Sequence, residues 1–373
     1  MSYFQKRGLS RFDQQFLAGG SFSNWVTLLH ENGGVDMRYF VRWLYISAVA
    51  LVSYPFRLYE KAKYDVAITK TEITSPPVFV LGHWRSGTTY VHQLMAQNTD
   101  FTSITFLHTM IPDLYLTGSI FKTVLRASLP EKRPMDNVKI DINSVEEEEY
   151  ALGNLSPYSF YHALSFPRQM RSIFDHYVLF ESVPPAVTER WKSSYMYFLK
   201  KVTFSSGGKR LLLKNPANTA RIRVLLEMFP DAKFVHIYRN PYVVYSSTMN
   251  WLDKELVLTA LQDVDENVIR EQALINYEKM MHRYLEDRHL IPEKNLIELK
   301  FEDIEVNTLT EMERIYNHLD IPLTSQTRKK MTTLISSMTG YRKNRYRLCP
   351  ETRQIVADRW GFVAQLCNYA PPQ

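Results

Sequence analysis

The sequence predicts an α/β protein, a parallel sheet flanked by helices with helical additions at both chain ends. Two observations carry this. Four short runs have the apolar character of buried strands: VFVL at 78–81, RLLLK at 210–214, KFVHIY at 233–238 and LIELKF at 296–301. Each leads through a short link into residues of helical periodicity, and that alternation marks a parallel sheet with crossover helices. In such sheets ligands bind beyond the carboxyl ends of the strands. Here those ends carry Arg85, Lys214 and Arg239, three cations suited to one multiply charged anion.

In chain order, residues 1–72 read as mostly helical. Within them residues 43–55 are nearly all apolar, a stretch short of the roughly 20 residues that cross a bilayer. Arg42 precedes it, and Arg57, Lys61 and Lys63 follow. Two readings stay open for residues 39–55: a helix packed on the core, or one making peripheral contact with a membrane. Prolines 112, 130 and 134 break residues 100–145 into short pieces of the kind that wall a cleft. Four carboxylates, Glu146 to Glu149, then open an apolar helix, where the helix dipole favours them, as a solvated start or with one turned inward as a base. Helices are predicted over residues 186–204, 219–229, from Pro241 through Leu252, and over 266–289, 309–319 and 325–338. No repeat or linker divides the 373 residues. The chain is read as one domain, 1–373, with an N-terminal extension to residue 72, a core over 76–305 and a C-terminal helical segment over 306–373.

The stretch VFVLGHWRSGTTYVHQLM, residues 78–95, organises the rest. It reads as strand, small-residue turn and helix, the arrangement in which loop N–H groups and a helix N-terminus point at one anion. Gly82, four residues, Gly87, Thr88 and Thr89 follow the spacing of a nucleotide-binding P-loop, except that Thr88 stands where that loop has its lysine. The cation has moved inside the loop, to Arg85.

With RSGTT inside it, this loop resembles the 5′-phosphosulfate loop of sulfotransferases, which use 3′-phosphoadenosine-5′-phosphosulfate (PAPS) as donor. The resemblance assigns donor binding to Arg85, Ser86, Gly87, Thr88 and Thr89. In the same family an arginine after a later strand and a serine eight residues on grip the donor's 3′-phosphate; by position these are Arg239 and Ser247. Arginine offers a planar fork that matches phosphate oxygens, and serine adds a hydroxyl. Val243 stands where cytosolic members often carry Asp. The C-terminal basic segment that closes over the donor is matched loosely by Arg342, Lys343 and Arg345, without the family's RKG triplet. Residues 211–241 and YRKNRYRL resemble a bacterial and fungal branch, whose Lys-Ser-Pro and later His appear here as Lys214, Asn215, Pro216 and Asn218. The resemblance covers roughly residues 76–360 and implies a P-loop-like sulfotransferase fold.

Sulfuryl transfer needs cations on the transferring group and a base for the acceptor hydroxyl. Arg85 and Lys214 are the candidates for the first. For the base the candidates are His108 and the carboxylates Glu147, Glu148 and Glu149, with His162 behind them; His83 and His92 flank the loop as packing or supporting residues. The expected substrate is a hydroxyl acceptor, with aromatic-rich irregular segments and the apolar N-terminal helix leaning towards an apolar one such as a sterol or lipid alcohol; sugar and peptide acceptors also occur in the family. PAPS is the expected co-substrate, 3′,5′-adenosine bisphosphate (PAP) the product, and no metal is expected, since no His/Cys/Asp cluster has ligand spacing. A net charge of +6 suits an anionic ligand or an acidic membrane, and no basic nucleic-acid stripe stands out. Two cysteines give no disulfide framework, and the N-terminus lacks a secretory pattern, so a cytoplasmic protein is expected, with membrane contact limited to residues 39–55. Two rival functions remain: a P-loop kinase or NTPase, which calls for a lysine at Thr88 and an acidic strand end, and a non-catalytic, membrane-associated anion-binding module.

Overall fold

The computed structural model describes residues 15–129, 141–338 and 348–370. Its contacts divide it into two compact units. The first comprises the described part of Met1–Thr74, Ile104–Gly208 and Trp251–Gln272; the second comprises Ser75–Ser103, Lys209–Asn250 and the described part of Ala273–Gln373.

The second unit holds the sheet. Five strands, β1 (Val78–Leu81), β2 (Phe101–Ser103), β3 (Arg210–Lys214), β4 (Lys233–Tyr238) and β5 (Leu296–Lys300), lie in the order β2-β3-β1-β4-β5. Every pairing is parallel, with Val80 beside Lys214 on one side and Leu81 beside His236 on the other. The predicted parallel sheet is therefore present, with one strand more than the sequence signalled. From β1 the chain moves outward past β3, whereas from β4 it moves the opposite way to β5. The crevice at which the order reverses lies between β1 and β4, where an open α/β sheet places its ligand.

Alternation along the strands sets the core. Val78, Val80, Leu212, Val235, Ile237 and Ile297 face the helices Thr88–Met95, Phe301–Val306, Thr308–His318 and Ser325–Ser337 and are fully or nearly buried. Phe79 and Phe234 turn to the other face and stack at 5.5 Å. The helix Pro241–Thr259 begins after β4 with proline at its first position, and the Asn240 side chain accepts the Tyr242 N–H.

The first unit is helical among its described residues. Pro185–Ser205 runs through its core and buries Trp191, Tyr195, Phe198 and Leu199 completely. Phe22–Glu31 is capped by Ser21 and tied to the longest helix, Phe40–Lys70, by the Trp25 Nε1–H donated to Ser47 Oγ at 2.9 Å. Phe40–Lys70 continues through Pro55, which lies on the exposed side, where a missing N–H is least costly. It packs by Arg42, Ile46, Ser47, Ala50, Ser53, Arg57, Glu60 and Ile68, while Leu44, Leu51 and Val52 point outward. The residues this helix turns inward around the apolar stretch 43–55 thus include the charged Arg42, Arg57 and Glu60. No helix among the described residues is long and apolar enough to cross a membrane.

Candidate active site

β1 ends at Leu81, and the loop that follows passes three times through left-handed backbone, at Gly82, Arg85 and Gly87. Gly82 has φ +137°, and its N–H donates to Thr219 Oγ1 at 2.8 Å; a Cβ there would lie 2.4 Å from the Ile237 carbonyl. Gly87 has φ +96°, and a Cβ would lie 2.1 Å from the Phe301 ring. Glycine is thus required at both ends of the loop by sterics as well as by dihedral angle. Arg85 has φ +71° without being glycine, a strained conformation of the sort found at functional sites. The helix Thr88–Met95 starts at Gly87, which has no side chain to cap it.

The two anion motifs meet. Arg85 Nε donates to Ser247 Oγ at 3.0 Å, and Arg239 Nη1 donates to the Arg85 carbonyl at 3.1 Å. The Arg239 guanidinium lies over the Phe301 ring, 4.6 Å from its centroid, so the ring under Gly87 also supports the arginine. Ser86, Thr88 and Ser247 are buried, while Arg85, Gly87, Thr89 and Arg239 are half-buried. Lys214, at the end of β3 one strand over, is 2% exposed. Its charge lies close enough to His92 to add to the effect of burial, and together they bring that imidazole down to about 3. His83 is buried too, at about 4 for the same first cause; its Nδ1–H donates to the Trp84 carbonyl at 2.8 Å, and its ring packs on Tyr277 at 4.7 Å.

The loop, residues 82–89, supplies N–H groups, hydroxyls and a guanidinium but no carboxylate. Such a donor-only set fits a phosphosulfate or bisphosphate. The C-terminal segment reaches these loops through aromatic residues. Trp360 stacks on Tyr277 at 3.8 Å, and Tyr369 O–H donates to Glu302 Oε2 at 2.6 Å while Glu302 Oε1 accepts the Asn240 N–H at 3.2 Å. Arg342, Lys343 and Arg345 lie outside the described residues.

The base candidates belong to the first unit. His108 Nδ1 accepts the Thr105 N–H at 3.2 Å, half of a reciprocal cap on the helix Phe106–Met110, and burial brings this imidazole down to about 4. His162, buried and also brought down to about 4, is tied through Nε2 to the Gly153 carbonyl at 2.9 Å. The acidic run does open a helix, Glu148–Leu155, but Glu148 and Glu149 are fully buried rather than solvated. Glu149 accepts from Ser159 Oγ and the Phe160 N–H, which fixes the following loop. Glu148 accepts the Tyr195 hydroxyl at 2.8 Å, and Glu147, partly exposed, accepts that of Tyr161. Among the described residues no group of three or more His, Cys, Asp or Glu could hold a metal.

Sequence reasoning missed Phe301, Thr219, Tyr277 and Trp360. Phe301 read as the last residue of a strand, and nothing local to the other three marks a loop support.

A strand-end loop of this kind, facing an arginine from the strand across the switch point, defines a P-loop-like α/β unit. The profile of the Sulfotransferase family matches residues 76–325. The chain belongs to the sulfotransferase family, and its donor is the family's, PAPS. Proteins named omega-hydroxy-beta-dihydromenaquinone-9 sulfotransferase Stf3, from Mycobacterium bovis (strain ATCC BAA-935 / AF2122/97) and Mycobacterium tuberculosis (strain CDC 1551 / Oshkosh), are each 30% identical over 357 residues, covering 94% of this chain and 90% of theirs. In fold the chain is similar to sulfotransferase STF9 from Mycobacterium avium, with a TM-score of 0.70 and 18% identity over 99% of this chain and 95% of that one. It is also similar to STF1 from M. tuberculosis H37Rv, with a TM-score of 0.64 and 18% identity over 96% of each chain. Family membership sets aside the kinase and the non-catalytic binding module.

Proposed function

We propose that this enzyme moves a sulfuryl group from PAPS to the hydroxyl of an apolar acceptor, a sterol or lipid alcohol such as cholesterol, and that it does so in peripheral contact with a membrane through residues 39–55. The observation that carries the donor assignment is the hydrogen bond from Arg85 to Ser247, which joins the loop to the second motif. Support for a lipid alcohol comes from the curated relatives, named for an omega-hydroxy menaquinone, and from the aromatic content of the chain.

PAPS supplies the sulfuryl group and departs as PAP: the acceptor oxygen bonds to sulfur as the bond from sulfur to the 5′-phosphate oxygen breaks. On this assignment Ser86 to Thr89 present N–H groups and hydroxyls to the 5′-phosphosulfate. Arg239 and Ser247 hold the 3′-phosphate, with the C-terminal segment, Arg342 and Lys343 included, closing over the nucleotide. Arg85 and Lys214 offset charge that develops on the transferring group and the leaving oxygen. Because the donor's two ends are held apart, attack is confined to one line. The base is assigned to the pair Glu147 and Glu148, whose carboxylates are oriented by tyrosine hydroxyls; His108 is the weaker candidate because its Nδ1 is engaged in a helix cap.

Incubation with labelled PAPS and a panel of sterols, long-chain alcohols, hydroxylated quinones, sugars and tyrosine peptides tests this reading. Sulfation confined to the apolar alcohols supports it. Sulfation of sugars or peptides alone overturns the acceptor class and leaves the donor assignment standing.

A further inference from the structure

We propose that the first unit docks on the surface of an anionic lipid bilayer through the outward face of the helix Phe40–Lys70, with the helix Ser119–Ser128 alongside it. The contact reaches well past residue 55 and carries a preference for lipid charge. It deepens the reading given above, and its geometry stands independently of which alcohol is sulfated.

The helix is amphipathic in the inverted sense. Its inward stripe, Arg42, Ile46, Ser47, Ala50, Ser53, Arg57, Glu60 and Ile68, follows helical spacing and carries three charges. Each charge is held. Arg42 donates to the carbonyls of Ala260 and Val257, both at 2.7 Å. Arg57 donates to Asp113 at 3.2 Å and to the Gly19 carbonyl at 2.7 Å. Glu60 accepts from Lys201 at 2.6 Å and from the Thr117 N–H at 2.7 Å. Rolling the helix to bury its apolar side would strand these three charges without partners. The outward orientation of the apolar side is therefore imposed by the fold.

That side presents Phe40, Leu44, Leu51, Val52, Phe56 and Tyr59, each 46–66% exposed. An apolar strip of this length on one helix is far more than scattered surface residues supply. Phe56 meets Phe121 edge-on at 5.2 Å, so the helix Ser119–Ser128, with exposed Ile120 and Val124, abuts the strip. Because polar groups line one side of Phe40–Lys70 and no described helix qualifies as a span, the fitting mode is a helix lying in the interface plane.

Charge selects the occupant. The exposed charged residues of Phe40–Lys70 are Lys61, Lys63 and Lys70, and Arg126 is exposed on Ser119–Ser128. The acids of the long helix are engaged elsewhere: Glu60 is buried, and Asp65 accepts the Tyr197 hydroxyl at 2.9 Å. The shorter helix has no acid. On these two helices the exposed charges beside the apolar strip are all cations, a pattern complementary to anionic headgroups over acyl chains. A second copy docked face to face by the same surface would set these cations against their own kind.

The test is co-sedimentation of the full chain with phosphatidylcholine vesicles, with and without phosphatidylglycerol, with PAP affinity measured in parallel. The wild type should bind the mixed vesicles more tightly than the neutral ones, less so as salt rises. The double variant Leu51→Glu with Val52→Glu, both outward-facing, should lose about tenfold or more of that affinity, and Lys61→Glu with Lys63→Glu should lose the preference for phosphatidylglycerol. PAP affinity should be unchanged in both variants. Failure of the wild type to bind, or equal binding by wild type and the Leu51/Val52 variant, overturns the proposal. So does a wild-type dimer in sedimentation velocity that the Leu51/Val52 variant converts to a monomer. Loss of PAP binding with vesicle binding intact counts against the donor assignment alone.

Discussion

Arg85 and Ser247 lie 162 positions apart in the chain, and Arg85 Nε donates to Ser247 Oγ at 3.0 Å. The parallel order of β1 and β4 makes this possible: the loop after β1 and the helix after β4 emerge side by side at the carboxyl edge of the sheet. With Arg239 bonded to the Arg85 carbonyl, the loop assigned to the 5′ end of the donor and the pair assigned to its 3′ end form one hydrogen-bonded group.

Replacing Arg239 removes a charge-assisted contact to the 3′-phosphate on the proposed assignment. Arg239→Ala should weaken PAP binding by about 1.5–3 kcal/mol, roughly 10- to 150-fold, and leave AMP binding nearly unchanged. Ser247→Ala should weaken PAP binding less, by about 1 kcal/mol. Calorimetry on the two nucleotides reads the difference; equal losses for PAP and AMP would mean that Arg239 acts only on the loop.

Gly87→Ala places a methyl group 2.1 Å from the Phe301 ring at φ +96°. The ring cannot withdraw without disturbing Arg239, which lies over it. PAP affinity should fall by about tenfold or more, with the helical circular dichroism retained. Adding Phe301→Leu should restore part of the loss.

How far the sequence could be read depended on whether a signal was local. Four strands were legible because each is an apolar run bounded by turn residues. β2 was not, since Phe101–Ser103 is three residues with only Phe101 buried. The two anion motifs were legible as spacings, but their direct contact was not, because β-sheet neighbours distant in sequence leave no mark on either segment. The acidic run was legible as a helix start; its burial was not, because Tyr195 and Ser159, which satisfy the carboxylates, come from elsewhere in the chain. The apolar content of residues 43–55 was plain, whereas its outward orientation depends on where Arg42, Arg57 and Glu60 find partners.

The aromatic support of the loop should show in binding rather than in chemistry. Trp360 stacks on Tyr277, which packs on His83 in the loop. Trp360→Phe keeps an apolar ring but loses the Nε1–H donated to the Leu274 carbonyl at 3.0 Å. PAP affinity should drop several-fold with melting temperature lowered, and the pH profile of turnover should not move near neutral pH, since burial holds its neighbours Tyr277 and His83 uncharged there.

Acid should weaken the fold in a defined window. His83, His92 and His162 are buried and neutral, held at about 4, 3 and 4 against an ordinary 6.5. Between those limits the unfolded chain binds more protons than the folded one, so stability falls as pH falls. Each group contributes about 1.4 kcal/mol per pH unit within its window. Melting temperature should therefore be flat above about pH 7 and decline steadily from 6.5 towards 4. His92→Gln should flatten part of that decline in a melting series across pH.

The central claim is that one nucleotide is held at both its 5′ and 3′ phosphates by the joined loops. Titration calorimetry of the wild-type chain with PAP and with AMP tests it most directly. The account predicts that PAP binds at least about tenfold more tightly, the equivalent of one charge-assisted contact to the 3′-phosphate. Equal affinity for the two nucleotides would contradict it.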